Sequence, residues 1–228
     1  MSVDSRKKIN RLSVIFLAVF LALTFSAPAE EKTQQSVKSS VVVGVVSFQA
    51  MIPDKNLENA VICPLCTAAY STGRIQEGAE KIIEDIFVSK LGEFKEVRLI
   101  PQERVQGIYR RVSAESFRKP LLDVLKKTGQ ELGADILVVG YIYRYVERVG
   151  YDYSVKSPAS VAFEIYMVNT ADGSIMWRGI FDKTQKSLLE DLFQISSFFR
   201  GGGKWLTAQQ LSKQGMDEIF KKFPGFVR

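Results

Sequence analysis

The 228-residue sequence contains no histidine, and its only cysteines are Cys63 and Cys66. Without histidine, Ser-His-Asp and Cys-His catalysis are excluded, because the general base that activates either nucleophile is missing. A c-type haem is excluded as well, since it needs C-x-x-C-H and Thr67 stands where that histidine would be. A structural zinc site usually takes four cysteine or histidine ligands, and one chain supplies only two.

Other catalytic motifs are also missing. No G-x-S-x-G nucleophile motif occurs. The stretch RGGGKW lacks the first glycine and the final Ser/Thr of a phosphate-binding loop, and it follows a predicted helix rather than a strand. Two adjacent carboxylate pairs lie on predicted helices with apolar opposite faces, so we predict that they are solvated: Glu84-Asp85 and Glu190-Asp191. The sequence therefore predicts a non-enzymatic protein without catalytic residues, metal or cofactor.

The chain also lacks a concentrated basic face. Its 31 lysines and arginines exceed its 25 acidic residues, but four of the basic residues and one aspartate lie within residues 1–29. The remainder holds 27 basic and 24 acidic residues, and they are interspersed. Nucleic-acid binding needs a clustered basic surface, so we predict no nucleic-acid partner.

Residues 1–29 have the pattern of a secretory signal peptide. A basic patch at 6–11 precedes an apolar run at 12–25, and Ala27-Pro28-Ala29 fits a small-x-small cleavage site. The apolar run is short for a bilayer span of about 20 residues. We therefore predict a cleaved signal and a periplasmic protein. The alternative is an uncleaved signal that anchors the protein in the inner membrane.

The rest of the chain divides into three predicted parts. Residues 30–40 are polar and predict a flexible leader, 41–184 predict one α/β domain, and 185–228 predict a C-terminal helical hairpin. Within the domain, the apolar run 41–48 predicts a buried strand, and 50–74, which contains both cysteines, predicts a long loop. Further helices and strands follow from periodicity: helices at 79–91, 102–111 and after Pro120 to Gly133, and strands at 96–101, 134–149, 159–168 and 174–181.

Short sequence motifs predict where several of these helices and strands begin or end. Asp172-Gly173 predicts a tight turn between the last two strands. In the C-terminal hairpin, Ser187 with Glu190 and Thr207 with Gln210 have capping-box spacing, and the glycines at 201–203 predict a hinge. We predict that this hairpin packs on the sheet; the alternative is a movable arm that presents its aromatic residues to a partner.

Four stretches together form a recognisable pattern: the strand VVVGVVSF, the joint LIPQERV, the segment ELGADILVVGYI and the hairpin EIYMVNTADGSIMW. Their order resembles the TolB amino-terminal/CsgG-like (LpoB-like) superfamily of bacterial envelope proteins. The resemblance spans roughly residues 40–182, and its motifs mark a fold rather than a chemistry. It implies a CsgG/TolB-N-like mixed sheet packed with helices, and a role in binding or assembly at the cell envelope. No lipid-acceptor cysteine follows the signal, and no extra pair of barrel strands is present, so the sequence does not indicate pore formation.

The pair Cys63 and Cys66, in the stretch ICPLCT, has three interpretations. In an oxidising compartment the default is a disulfide, which would stiffen the 50–74 loop. A thioredoxin-like redox role needs a strand-to-helix junction and a lowered thiol pKa. C-P-x-C also resembles one zinc knuckle, so two chains could share a four-cysteine site. We predict the disulfide, with a thiol-disulfide or metal-handling protein as the alternative function.

The tyrosine run 141–153, which also includes Tyr151 and Tyr153, is a candidate partner surface, because the alternating second half of the strand 134–149 predicts that the strand leaves the core and extends past it. The alternative is that tyrosines on one face of a strand are half-buried packing. Aromatic residues beside arginines are common at interfaces. The candidates are Tyr141, Tyr143, Tyr145, Arg144 and Arg148, together with Trp205. The sequence thus predicts a module that binds another envelope protein. A contact with the membrane surface, a homo-oligomer and a subunit of a secretion assembly are alternatives.

Overall fold

The computed structural model describes residues 40–53, 60–185 and 204–226. These residues form an α/β fold in which helices cover a mixed sheet, as predicted. The strands are β1 Val41–Val45, β2 Gln49–Ala50, β3 Ala60–Ile62, β4 Ala69–Ser71, β5 Val97–Leu99, β6 Ile136–Val146, β7 Val149–Tyr151, β8 Ser154–Ser157, β9 Ser160–Asn169 and β10 Ile175–Thr184. The helices are α1 Ala79–Leu91, α2 Gln102–Glu115, α3 Leu121–Leu132 and α4 Ala208–Phe220. Among the described residues, no helix is long and apolar enough to cross a membrane.

The main sheet has the strand order β10-β9-β6-β1-β5. Strand β1 pairs in parallel with β5 and β6, whereas β6, β9 and β10 pair antiparallel. The short β2 adds a parallel pairing to the far end of β6. Both faces of β1 are covered, which is why VVVGV is apolar at successive positions instead of alternating.

Two apolar layers lie on opposite faces of the sheet. On the first face, α1 and α4 pack against the sheet, with ring centroids 5.7 Å apart for Phe87 and Phe220 and 5.6 Å apart for Trp177 and Phe220. On the second face, α2, α3 and the β3–β4 hairpin bury Val105, Leu125 and other side chains. Cys63, Tyr143 and Tyr166 also lie in this second layer.

Local signals in the sequence set the helix ends. Helix α3 begins directly after Pro120 and ends at Gly133, whose φ of 66° lies in the left-handed region that favours glycine. Helix α4 begins with the predicted capping box, in which the Thr207 side chain accepts from the Gln210 backbone. Helix α4 packs on the sheet. The predictions of a capping box at Ser187–Glu190, a first helix of the C-terminal hairpin and a glycine hinge fall outside the described residues.

The predicted long loop at 50–74 contains a small β-hairpin. Strands β3 and β4 pair antiparallel, with Val61 opposite Tyr70, and the two cysteines lie in the connection between them. The Tyr70 ring stacks on Tyr143 of the sheet, with centroids 4.5 Å apart. Three-residue strands are too short for a periodic sequence signal, so the hairpin forms through its contact with the sheet.

The prediction that the tyrosine strand leaves the core is wrong. Tyr141, Tyr143 and Tyr145 are all buried within β6. The pairing of β6 with β9 shifts between Ile142 and Arg144, which marks a β-bulge. Because a bulge reverses which face the following side chains occupy, Tyr141 and Tyr143 belong to the second layer and Tyr145 to the first. The three tyrosines therefore do not share a face.

The prediction of a solvated Glu84 is also wrong. Its side chain is buried, and its Oε2 accepts the backbone N–H of Phe48 at 2.9 Å. The Gln102 side chain donates to the other oxygen, so this carboxylate ties the end of β1 to α1 and α2. Asp85 is exposed, as predicted, and its pair with Lys81 measures 2.7 Å. Glu190 and Asp191 lie outside the described residues.

Candidate functional site

A buried polar cluster fills the space between the β3–β4 turn and the second face of the sheet. We call it the thiol–carboxylate cluster. Its residues come from strands β4, β6, β9 and β10 and from the turn between β3 and β4: Cys63, Cys66, Tyr70, Tyr143, Glu164, Tyr166 and Arg178.

The backbone of the turn places both sulfur atoms on the same side. The N–H of Thr67 donates to the carbonyl of Cys63 at 3.0 Å, and the N–H of Cys63 donates to Ala68 at 2.9 Å. The N–H of Cys66 donates to the Cys63 Sγ at 3.4 Å. Thr67 has a φ of 57°, the left-handed conformation that closes the turn. Cys63 is fully buried, whereas Cys66 is partly exposed.

Glu164 is the charged centre of the cluster, and its side chain is 0% exposed. The Tyr143 hydroxyl donates to Oε2 at 2.8 Å, and the Tyr70 hydroxyl donates to Oε1 at 3.3 Å. The Arg178 Nε donates to the same Oε1 and forms an ion pair with the carboxylate. A buried carboxylate needs such partners, because desolvation of an unpaired charge is very unfavourable.

Arg178 connects the carboxylate to the cysteine turn. One guanidinium nitrogen donates to the Tyr70 oxygen and lies 3.4 Å from the Cys66 Sγ. The guanidinium also lies over the Tyr166 ring, 5.5 Å from its centroid. The Tyr166 hydroxyl in turn forms a 3.2 Å hydrogen bond with the Cys63 Sγ. Each thiol thus contacts a polar group of the sheet.

The cluster makes the two thiols unequal. Burial raises the pKa of the Cys63 thiol above its ordinary value, and hydrogen bonds offset this only in part. Burial also acts to raise the pKa of Cys66, but hydrogen bonds from Tyr166 and from backbone N–H groups lower it, and the net pKa is below the ordinary value. Cys66, which is also the more accessible sulfur, is therefore the more readily ionised of the two.

Three of these side chains could hold a metal ion. One sulfur each from Cys63 and Cys66 and a carboxylate oxygen of Glu164 all lie within 4.8 Å of one another. Glu164 was not predicted as a site residue, because it is about 100 residues from the cysteines in the sequence. The available signal was a single glutamate in the otherwise apolar strand SVAFEIYMVN.

The six residues predicted to bind a partner do not form one surface. Tyr143 belongs to the thiol–carboxylate cluster, and Tyr141 packs edge-on against Tyr166 at a centroid distance of 6.3 Å. Tyr145 is buried on the opposite face. Arg144 donates to Ser160 and forms an ion pair with Asp182. The remaining two candidates, Arg148 and Trp205, meet at the β7–β8 hairpin.

The β7–β8 hairpin, residues 149–157, is a second candidate site, which we call the aromatic hairpin. Tyr151 is 83% exposed and Tyr153 is 73% exposed. Arg148, which directly precedes β7, forms an ion pair with Asp152 in the turn of the hairpin and donates to the carbonyl of Trp205. The Trp205 N–H donates to the Asp152 carbonyl at 2.7 Å. The hairpin is therefore held in place while its two tyrosines project into solvent.

Comparison with known proteins gives only distant structural likenesses. No family model matches the chain, and no curated protein matches it. The hypothetical protein CT253 from Chlamydia trachomatis is 15% identical, with 82% of this chain and 98% of that chain covered and a TM-score of 0.46. A PelC dodecamer from Paraburkholderia phytofirmans is 10% identical, with 80% and 86% covered and a TM-score of 0.43. The LpoB C-terminal domain from Salmonella enterica is 11% identical, with 66% and 87% covered and a TM-score of 0.35.

These likenesses do not establish the superfamily that the sequence resembles. LpoB, a member of the superfamily that the four motifs resemble, is among the matched structures. At identities of 15% or less and TM-scores below 0.5, the matches carry no argument about function. Membership of the TolB amino-terminal/CsgG-like superfamily stays a prediction.

Proposed function

We propose that this protein is an exported, non-enzymatic module that binds another protein of the bacterial cell envelope through the aromatic hairpin. The observation that carries the proposal is the exposure of Tyr151 and Tyr153 on a hairpin whose turn is held by a hydrogen bond and an ion pair at Asp152. The export pattern of residues 1–29 supports the compartment.

Exposed tyrosines on a fixed hairpin suit binding for two reasons. Tyrosine is enriched among the residues that dominate interface energies, because its ring offers a large apolar area and its hydroxyl a hydrogen bond. The contacts of Asp152 with Arg148 and Trp205 hold the hairpin before a partner arrives. Less conformational freedom is then lost on association.

The charges around the two rings indicate the chemistry of the partner. Lys204 lies over the Tyr153 ring, with its Nζ 5.6 Å from the centroid. Lys156 is exposed on β8, and the one acidic side chain within the hairpin, Asp152, pairs with two cations, Arg148 and Lys204, so the basic side chains outnumber it. The surface around the rings is therefore cationic, and it favours a partner with an apolar pocket and an acidic rim.

The state of the buried carboxylate supports a non-enzymatic role. Glu164 is fully buried and is bound by Arg178, Tyr143 and Tyr70, so it is not positioned to take a proton from a substrate. The sequence lacks histidine, which removes the commonest general base.

The test is photo-cross-linking in intact cells. A photoreactive residue replaces Tyr151 in the tagged full-length protein. In a matched control the same residue replaces Phe117, which is 78% exposed and lies outside the hairpin, in the segment between α2 and α3. We expect position 151, and not position 117, to capture one envelope protein.

The captured protein is then purified and its affinity measured. We expect Tyr153→Ala to weaken binding at least about tenfold, as for an interface hot spot. Phe117→Ala should leave the affinity unchanged. Equal capture from both positions would overturn the proposal, as would capture of lipid alone. Capture of a second copy of this chain would replace the proposal with a homo-oligomer.

A further inference from the structure

We propose that the reduced protein binds one Zn²⁺ ion through Cys63, Cys66 and Glu164. This site is independent of the aromatic hairpin and goes beyond the proposed binding function. The sequence offers only two soft ligands, the cysteine sulfur atoms. The fold adds a carboxylate ligand, Glu164 from strand β9.

The distances fit a tetrahedral ion after small side-chain movements. The three ligand atoms lie within 4.8 Å of one another. With Zn–S bonds of about 2.3 Å and Zn–O bonds of about 2.0–2.2 Å, ligand atoms on a tetrahedron are about 3.4–3.8 Å apart. Closing the present arrangement therefore needs shifts of about 1 Å, which rotation of the partly exposed Cys66 side chain can supply while Glu164 stays on its hydrogen bonds; a water would be the fourth ligand.

Hydrogen bonds and a cation already hold the two sulfur atoms in place. The Cys66 N–H donates to the Cys63 sulfur, and the Tyr166 hydroxyl forms a hydrogen bond with the same atom. The Arg178 guanidinium lies 3.4 Å from the Cys66 sulfur. Such outer contacts orient metal ligands and favour their ionised forms.

Glu164 keeps a free lone pair for a metal ion. A carboxylate offers about four acceptor positions on its two oxygens. Tyr143, Tyr70 and Arg178 occupy three of them. The Tyr166 hydroxyl also interacts with the carboxylate, but it is bonded to the Cys63 Sγ and can turn fully to it, which leaves one position for a metal ion.

The charges of the site balance with a divalent ion. On binding, both cysteines release a proton, so two thiolates and one carboxylate give three negative charges. Arg178 contributes one positive charge and Zn²⁺ two, so the buried site is neutral. Sulfur ligands disfavour Mg²⁺ and Ca²⁺, and the mixed sulfur and oxygen set fits Zn²⁺. Because Cys66 is partly exposed, the ion can enter from that side.

The predicted disulfide uses the same two sulfur atoms, so the metal site belongs to the reduced protein alone. The purified full-length chain is reduced and titrated with Zn²⁺ against a chromogenic chelator. It is also titrated with Co²⁺, whose visible and near-ultraviolet spectrum reports thiolate ligands and tetrahedral geometry. We expect one ion per chain and a spectrum with thiolate charge-transfer bands.

Variants assign the ligands. Cys66→Ser should abolish the charge-transfer intensity of one thiolate, and Glu164→Gln should weaken Zn²⁺ binding at least about tenfold. Asp182→Asn, which changes an exposed acid on β10, is the matched control and should bind like the parent. Circular dichroism checks that each variant is folded. If Glu164→Gln does not fold, the proposal is tested by the stoichiometry of one ion per chain and by the loss of charge-transfer intensity in Cys66→Ser.

Two results would overturn the proposal. In the first, the reduced protein binds Zn²⁺ no more tightly than a Cys63→Ser/Cys66→Ser double variant. In the second, half an ion binds per chain, dimers form on metal addition, and folded Glu164→Gln binds like the parent; that pattern would mean a four-cysteine site shared by two chains.

Discussion

Replacing Arg178 with methionine removes the cation that neutralises Glu164 while keeping much of the apolar side-chain volume. The Glu164 side chain is 0% exposed and that of Arg178 is 35% exposed. Removing one partner of a buried ion pair typically destabilises a protein by about 3–5 kcal/mol, because a buried charge is left uncompensated.

Two features of the site place the expected loss at the lower end of this range. The hydroxyls of Tyr143 and Tyr70 still donate to the carboxylate. The Arg178 side of the pair is also partly exposed, so water screens part of the charge that is left uncompensated. We therefore expect Arg178→Met to lower the free energy of unfolding by about 3 kcal/mol.

Urea denaturation measures this loss. With an m-value of about 2 kcal/mol/M, a loss of about 3 kcal/mol moves the midpoint down by about 1.5 M. The matched control is Lys183→Met on the same strand, because Lys183 forms a surface ion pair with Glu218 at 4.0 Å. Such a pair contributes about 0–1 kcal/mol.

A double variant separates loss of charge compensation from loss of packing. Adding Glu164→Gln to Arg178→Met removes the buried charge, so we expect the double variant to be more stable than Arg178→Met alone. The reasoning fails if Arg178→Met is no less stable than Lys183→Met at an unchanged m-value, or if the double variant recovers nothing.

Three further predictions concern the core, the pH dependence and the cysteines. Gly140→Ala should destabilise the protein by about 1–3 kcal/mol in thermal unfolding, because a Cβ there would lie 2.6 Å from the Phe48 ring. Burial, and then the nearby Glu147 charge, raises the pKa of Tyr145 from 10.0 to about 12. The unfolded chain therefore loses this proton first, so stability should fall as the pH rises from 10 to 12, and less steeply in Tyr145→Phe. In protein exported to an oxidising compartment, Cys63 and Cys66 should resist alkylation until a reductant is added, as mass spectrometry would show.

Each of these predictions has a contrary outcome. Gly107→Ala is the control for the glycine, since a Cβ at that helical position meets nothing within 4 Å and should stabilise the helix by up to about 1 kcal/mol. Equal effects of the two glycine changes would argue against the Phe48 contact. If the free energy of unfolding falls equally above pH 10 in the parent and in Tyr145→Phe, burial does not raise the pKa of Tyr145. Two alkylated thiols in unreduced protein would refute the disulfide.

The helices and strands with strong local patterns could be predicted from the sequence. Helix α1 spans the predicted 79–91, and Pro120 and Gly133 delimit α3. The turn at Asp172-Gly173 also forms as predicted, with a Gly173 φ of 84°. These features depend on residues only a few positions away, through helix capping, glycine conformation and the periodic burial of apolar side chains. Each can therefore be predicted from its own segment of the sequence.

Features that depend on contacts between distant parts of the chain could not be predicted from the sequence. The β3–β4 hairpin has strands too short to be recognised alone, and it forms over the sheet through Tyr70 and Cys63. The bulge at Tyr143 reverses the facing of Tyr145, because one extra residue in a strand inverts the alternation. The six candidate residues are divided among two buried layers, the ion pair of Arg144 with Asp182, and the contacts at the turn of the aromatic hairpin.

By itself, the sequence determined the ends of α1 and α3, the start of α4, the turn at Asp172-Gly173, the alternation of β10 and the α/β class, whereas α2 runs on to Glu115 and β9 is buried on both faces. Those properties follow from local conformation and from the apolar pattern of each segment. Only the tertiary structure brought Glu164 and Arg178 to the cysteine turn and left Tyr151 and Tyr153 in solvent. The physical reason is that a buried charge and an exposed ring are defined by their surroundings, and those surroundings come from strands that are distant in the chain.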